Sequence, residues 1–268
     1  MLRIRVATGL LLALVAVLVT LYLTTFWFAV ALMLVMLIGL NEWSRLVPCS
    51  RSWVVGAAVG MIVVGWQSLF SPGFLIGVCA GLCVFWIFQI HSFCTAGLSR
   101  SLSGPAGICG GALILFGCWS ALVFTHQQPQ TGAQATLGIL LVVWSADSFA
   151  YFFGKMFGQR KLAPAISPNK TVEGLLGGVS GSCLVALVYA VFMFDLSWSD
   201  WHLWVWALAA LCGCLISVVG DLYQSRLKRI AGVKDSGSLL PGHGGVLDRL
   251  DGLVAAAPVF AGIWWFTL

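Results

Sequence analysis

Charge is what this sequence has least of. Asp, Glu, Lys and Arg make up 9% of its 268 residues, and mean hydropathy is +0.99. Soluble domains carry about 25% charged residues, so a freely soluble globular domain is excluded. The nine cysteines are scattered and form no Cys-x-x-Cys pair, which leaves no zinc site or disulfide framework to expect. A Walker A loop, a Gly-x-Gly-x-x-Gly fingerprint and a Ser-His-Asp pattern are also missing. Strand content is expected to be negligible.

Long apolar runs fill the chain instead. Candidate membrane spans lie near 6–23, 26–41, 53–70, 74–91, 105–125, 136–154, 174–194, 203–222 and 250–268. The first two form one apolar run, about 52 Å long as a single helix. That exceeds a hydrocarbon core of about 30 Å, so a tight turn is expected near Thr24 and Thr25. With nine spans and a cytoplasmic N-terminus, all 14 Lys and Arg fall on one face. The opposite loops hold Asp195, Asp200, His126 and His202. This is the positive-inside arrangement, whereas eight spans would strand Arg3 and Arg5 on the wrong side. The N-terminus is read as a retained first helix. The fold expected is an all-α polytopic membrane bundle forming a single domain over 1–268. Residues 1–125 are scaffold, and 136–268 are a catalytic half with cytoplasmic loops at 155–173 and 223–249. Gly107 with Gly111 and Gly174 with Gly178 have the small-x-x-x-small spacing of close helix contacts.

Three polar groups stand out against this background. Asp147, in WSADSFAYFFGK, lies eight residues before Lys155 and so about 12 Å into the apolar zone. A charge at mid-span costs about 2.5–3.5 kcal/mol, so an intramembrane carboxylate is either a helix-to-helix contact or a functional group. Next comes SPNKTVEG, Ser167 to Gly174. Ser-Pro-Asn favours a turn, Thr171 can cap the helix that follows, and Glu173 would lie in its first turn. Lys170, just ahead of that helix, could meet phosphate or mark the cytoplasmic side.

The third is SRLKRIAGVKDSGSLLPGHGGVLDRLD, Ser225 to Asp251, with Asp221 just upstream. It holds 5 of the 14 basic and 3 of the 9 acidic residues. If the eighth helix runs past Gly220, then Ser217, Asp221, Ser225 and Lys228 share a face. Asp248 and Asp251, at i and i+3, share another at the head of the ninth helix. Between them PGHGG has the freedom to form a nest of N–H groups, an anion site. Carboxylates suit Mg²⁺, which keeps several waters and bridges to phosphates, while Lys and Arg neutralise the remaining oxygens. His243 either bonds phosphate or steadies its turn. Asp235, beside Lys234, is read as a local ion pair outside the metal set.

The run S-x-x-K-R-x4-K-D-x-G-x3-P-x-H-G-G-x-x-D-R-x-D, together with DSFAY at Asp147–Tyr151, SPNKTVEG and Gly220-Asp221, resembles the phosphatidate cytidylyltransferases, or CDP-diacylglycerol synthases. The resemblance is strong in the C-terminal half; the N-terminal half agrees in hydropathy and length. It implies that CTP and phosphatidic acid give CDP-diacylglycerol and pyrophosphate, the lipid phosphate attacking the α-phosphorus of CTP. It implies Mg²⁺ or Mn²⁺, with a second cation such as K⁺ as an open alternative, and a homodimer in the inner membrane with no nucleic-acid partner. Carried onto this chain, Asp221 and Asp248 are the metal ligands, with Asp251 as a third candidate. Lys228, Arg229 and Lys234 are candidates for the triphosphate or lipid phosphate. Asp147, Lys170, Glu173, Ser225, His243 and Arg249 match motif positions. A CTP-dependent lipid-alcohol kinase and a transporter are the rival readings.

Overall fold

A computed structural model describes residues 2–69, 72–95 and 104–265. Its helices are α1 (Leu2–Tyr22), α2 (Thr25–Leu46), α3 (Arg51–Ser68), α4 (Pro72–Thr95), α5 (Gly104–His126), α6 (Gly132–Phe157), α7 (Val172–Met193), α8 (Trp201–Ile230), the single turn α9 (Leu247–Leu250) and α10 (Leu253–Trp265). By length and composition, five described helices can cross a membrane: α2, α5, α6, α7 and α8. Two shorter apolar stretches, Val6–Tyr22 and Ile76–Ile90, accompany them. The chain is therefore an all-α membrane protein. Arg100 lies outside the described residues, as do the side chains of Arg3 and Arg5.

The expected break between the first two helices falls at Leu23–Thr24, and His126 at the end of α5 supplies a reason. Its Nε2 lies 2.9 Å from the Thr20 carbonyl, and its Nδ1 lies 3.0 Å from the Thr25 hydroxyl. Its ring stacks on Phe28 with centroids 4.3 Å apart. A carbonyl at the end of α1 is thus satisfied by a side chain rather than by the next helical turn.

The two small-residue spacings serve different ends. A Cβ on Gly174 or Gly178 would press on the Ala150 and Ala146 carbonyls at 2.8 and 2.9 Å, so here two backbones, α7 and α6, meet directly. Gly107 and Gly111 instead make room for a side chain. The Trp43 indole lies against Gly111 and donates to the Gly107 carbonyl at 3.1 Å.

The one sheet among the described residues is a hairpin between α6 and α7. Strand β1 (Lys161–Ala163) pairs antiparallel with β2 (Ser167–Thr171). Residues expected to form a turn, Ser167 to Asn169, are therefore strand. Thr171 caps α7 as expected, its hydroxyl accepting from the Gly174 N–H at 3.1 Å. Glu173 reaches back to accept from the backbone N–H groups of Gln159 and Arg160, which ties the hairpin to the helix start. The start of α1, the end of α2, the end of α6, the hairpin and the end of α8 gather at one end of the bundle, around residues 231–252.

Candidate active site

Helix α8 does run past Gly220, to Ile230, and so carries Asp221, Ser225 and Lys228 on one helix. Gly220 is required by what lies beside it. A Cβ there would meet the Asp251 carbonyl at 2.6 Å and the Ala255 side chain at 2.7 Å. The missing side chain lets α8 touch the head of α10, which brings Asp221 near Asp251. Asp147 on α6 is near enough for its charge to act on both, although the three carboxylates do not converge on one point. Three cations answer them. Lys170 of β2 forms an ion pair with Asp221, and Lys228 and Arg249 act on Asp251 and Asp147 respectively. Ser225 donates to the other Asp221 oxygen at 3.1 Å.

Three of these groups, Asp147, Lys170 and Asp221, border a cavity of about 310 Å³ between α6, the hairpin, α7 and α8. Asp147, Tyr151, Asn169, Lys170, Ser217 and Asp221 line it. A second, more open groove of about 610 Å³ lies on the outer side of α6, walled by Val6, Leu10 and Phe152, with His243 at its margin. Asp147 and Tyr151 belong to both. The cavity, charged at Asp147, Lys170 and Asp221, thus adjoins a face whose apolar side chains point away from the protein.

Asp248 occupies a different setting from Asp221 and Asp251. One of its oxygens accepts from Lys228 Nζ at 2.8 Å. The other accepts from the backbone N–H of Ser236 at 2.9 Å and of Gly245 at 3.0 Å. Burial opposes its ionisation, but these donors outweigh burial and hold the carboxyl below its usual range. Both oxygens of Asp248, expected with Asp221 to hold a metal, are therefore engaged by the chain itself, and Asp248 and Asp251, expected to share a helix face, have different partners. Asp251 faces Asp147 and Asp221, while Asp248 anchors a loop.

The nest of N–H groups expected in PGHGG is not what forms. Of that run only the Gly245 N–H meets an anion, Asp248, while the His243 N–H donates to the Leu240 carbonyl. The loop's other donors to carboxylates are Ser236, Val246 and Leu247. Gly242 and Gly244 take φ of 76° and 81°, open to glycine without strain. The Val246 and Leu247 N–H groups donate to Glu42 of α2 at 3.0 and 2.8 Å. Ser236 Oγ donates to the same carboxylate at 3.1 Å. Bonds to a charged group contribute about 1.5–3 kcal/mol each, so this loop is held firmly. Glu42 is 3% exposed and escaped the reading of the sequence, which treated residues 1–125 as scaffold. One signal was available: it is the only acidic residue before Asp147. His243 is fixed from the same half, its Nδ1 lying 2.7 Å from the Thr8 hydroxyl.

The remaining candidates sit at the rim. Arg229 donates to the carbonyls of Ile166 and Val233 at 3.4 and 3.5 Å, linking the hairpin to the loop. Lys234 is exposed beside it. Asp235 makes no ion pair among the described residues, so it is not the local partner of Lys234 that adjacency suggested. Among the described residues, no three His, Cys, Asp or Glu side chains converge into a cage for a metal. A magnesium ion held by one or two carboxylates, waters and substrate phosphates needs no such cage. The all-oxygen donors of Asp221, Asp251 and Asp147 have the chemistry for it.

A helical membrane bundle with an acidic and basic cavity at one end, opening beside an apolar groove, is built to handle charged groups at a membrane surface. The chain belongs to the cytidylyltransferase family, whose sequence profile matches residues 3–267. It is 36% identical over 269 residues to the phosphatidate cytidylyltransferase of Pseudomonas aeruginosa, covering 99% of this chain and 97% of that protein. It is 34% identical to the Haemophilus influenzae phosphatidate cytidylyltransferase, covering the whole of both. The Synechocystis phosphatidate cytidylyltransferase is 33% identical over 258 residues, covering 87% of this chain and 86% of that one.

Proposed function

We infer that this chain transfers CMP from CTP to phosphatidic acid, giving CDP-diacylglycerol and pyrophosphate. The observation that carries the reading is end-to-end similarity to phosphatidate cytidylyltransferases, together with a cavity lined by Asp147, Lys170 and Asp221. A phosphatidate oxygen is already an anionic nucleophile, so no general base is needed. The requirement is to bring two anions together and align them. Lys170, Lys228, Arg229, Lys234 and Arg249 supply positive charge for the triphosphate and lipid phosphate. Ser225 orients Asp221. Glu173 and His243 hold the hairpin and the glycine-rich loop against their neighbours. The outer groove meets the cavity at Asp147, which suits a substrate whose phosphate enters while its chains stay in lipid.

We assign Mg²⁺ or Mn²⁺ to Asp221 and Asp251, with Asp147 beside them, and the loop anchor to Asp248. A bound divalent ion neutralises charge on the nucleotide and the leaving pyrophosphate. Purified protein given CTP, phosphatidic acid and Mg²⁺ is expected to form CDP-diacylglycerol, and a chelator in excess is expected to stop it. Full turnover in chelated buffer would remove the metal from the reading. Absence of the lipid product at every metal concentration would remove the reaction itself.

The membrane arrangement belongs to the same proposal. It is a homodimer in the inner membrane, each chain a single domain crossing nine times, with the N-terminus and active site in the cytoplasm. The nine crossings and their orientation rest on the segregation of basic residues in the sequence, the homodimer and the inner membrane on the family resemblance. Ser238 in the glycine-rich loop and Ser199 ahead of α8 are both exposed. Placed singly in a cysteine-depleted protein in intact cells, Ser199→Cys should react with an impermeant maleimide, and Ser238→Cys only after the membrane is opened. Equal reaction at both sites in intact cells would overturn this topology.

A further inference from the structure

Glu42 is a buried carboxylate with no cationic partner among the three ion pairs of the described residues. Its bonds all come from one place. Oε1 accepts from the Val246 N–H, and Oε2 accepts from the Leu247 N–H and the Ser236 hydroxyl. The loop is built around it. A Cβ on Gly237 would meet Glu42 Oε1 at 2.5 Å, and one on Gly245 would strike Oε2. Asp248 grips the loop at Ser236 as well and at Gly245, beside Val246, taking both N–H groups and pairing with Lys228. A continuous chain of bonds therefore runs from α2 through the loop to Asp248 and the Lys228 ammonium. Burying an anion costs free energy unless its donors are fixed. Glu42 thus favours the one loop conformation in which the N–H groups of Val246 and Leu247 converge.

We propose that Glu42 is a positioning residue for cytidylyl transfer: from the N-terminal half it fixes the 236–247 loop so that Asp248 holds the Lys228 ammonium in place. The consequence for catalysis rests on the function inferred above; the consequence for the loop does not. Glu42→Gln keeps the size but turns an amide N–H₂ toward backbone donors, and a neutral acceptor binds them more weakly. Glu42→Asp keeps the charge on a shorter stem and should recover part of what Gln loses.

The test combines steady-state kinetics with amide hydrogen exchange on the detergent-purified full chain. For Glu42→Gln we expect kcat to fall about a hundredfold while KM for CTP moves less than about threefold, with Glu42→Asp in between. Amides of residues 236–247 should exchange at least about tenfold faster than in the parent protein, while those of α6 and α7 stay unchanged. Ser236→Ala removes one donor and leaves the charge. It should lower kcat by several-fold, up to about tenfold, with a matching local rise in exchange, and it decides the matter if Glu42→Gln does not purify. Loop exchange as in the parent protein, in whichever of these variants purifies, would overturn the proposal. So would a kcat above half the parent value in Glu42→Gln. An inactive parent protein would instead defeat the inferred reaction, leaving the exchange result to decide the role of Glu42 in the loop.

Discussion

Asp221→Asn is expected to cut CDP-diacylglycerol synthesis by about a thousandfold or more while the protein still inserts and purifies. Asn keeps the size and can still accept from Ser225, whose bond to Asp221 is 3.1 Å. It loses the negative charge that pairs with Lys170 and that stands with Asp147 at the cavity, near Asp251. A lost neutral hydrogen bond accounts for about 0.5–1.5 kcal/mol, or roughly tenfold. A lost metal ligand removes stabilisation that grows as charge moves onto the leaving pyrophosphate, so the fall should be seen in kcat and not in KM alone. The kinetic assay at saturating Mg²⁺ decides this. More than about a tenth of the parent kcat would mean that the charge is dispensable and the metal assignment wrong. Asp235→Asn, at an exposed aspartate without an ion pair, is the control and should be mild.

The second large effect is expected at the Lys228–Asp248 pair, and it should divide stability from activity. Both side chains are buried, and they meet at 2.8 Å. Lys228→Met leaves Asp248 ionised without its cation, which costs about 3–5 kcal/mol in buried pairs. The carboxyl sits below its usual range, so the favourable interaction is fully present above the ordinary carboxylate pKa. It fades only as pH falls through the lowered value, and the loss should therefore be complete at neutral pH. Thermal unfolding in detergent should show a marked drop for Lys228→Met. Lys228→Met combined with Asp248→Asn should recover much of the drop, because no unpaired buried charge remains. Neither protein should be active, since the ammonium is gone from both. Additive losses of stability in the double variant would contradict the pairing.

Much of this was readable without coordinates, for physical reasons that differ by element. The helices follow from apolar length, and the break at Thr24 from a run too long for one crossing. Past Gly220, α8 continues because Ser217, Asp221, Ser225 and Lys228 repeat with helical spacing, and the polar stretch stood out because charge is scarce elsewhere. Direction within the site was not readable. Asp248 and Asp251 lie three residues apart, yet one anchors a loop and the other faces Asp147 and Asp221. That difference depends on Gly220 admitting the Asp251 carbonyl and on the loop folding back to Asp248. Glu42 was missed because its partners are 194 to 205 residues away and are mostly backbone N–H groups, which leave no pattern in side-chain spacing. The hairpin was also hidden. Ser-Pro-Asn favours turns locally, but pairing with Lys161–Ala163 makes it strand.

The central claim is that the α-phosphorus of CTP, with its cytidine, is transferred to phosphatidic acid. The most direct measurement gives purified protein Mg²⁺, phosphatidic acid and CTP labelled in turn at the α- and γ-phosphates, and follows the label into extracted lipid. Label from the α position should enter the lipid and label from the γ position should leave as pyrophosphate. Lipid carrying the γ label and none of the α label would make the protein a CTP-dependent lipid kinase and contradict the account.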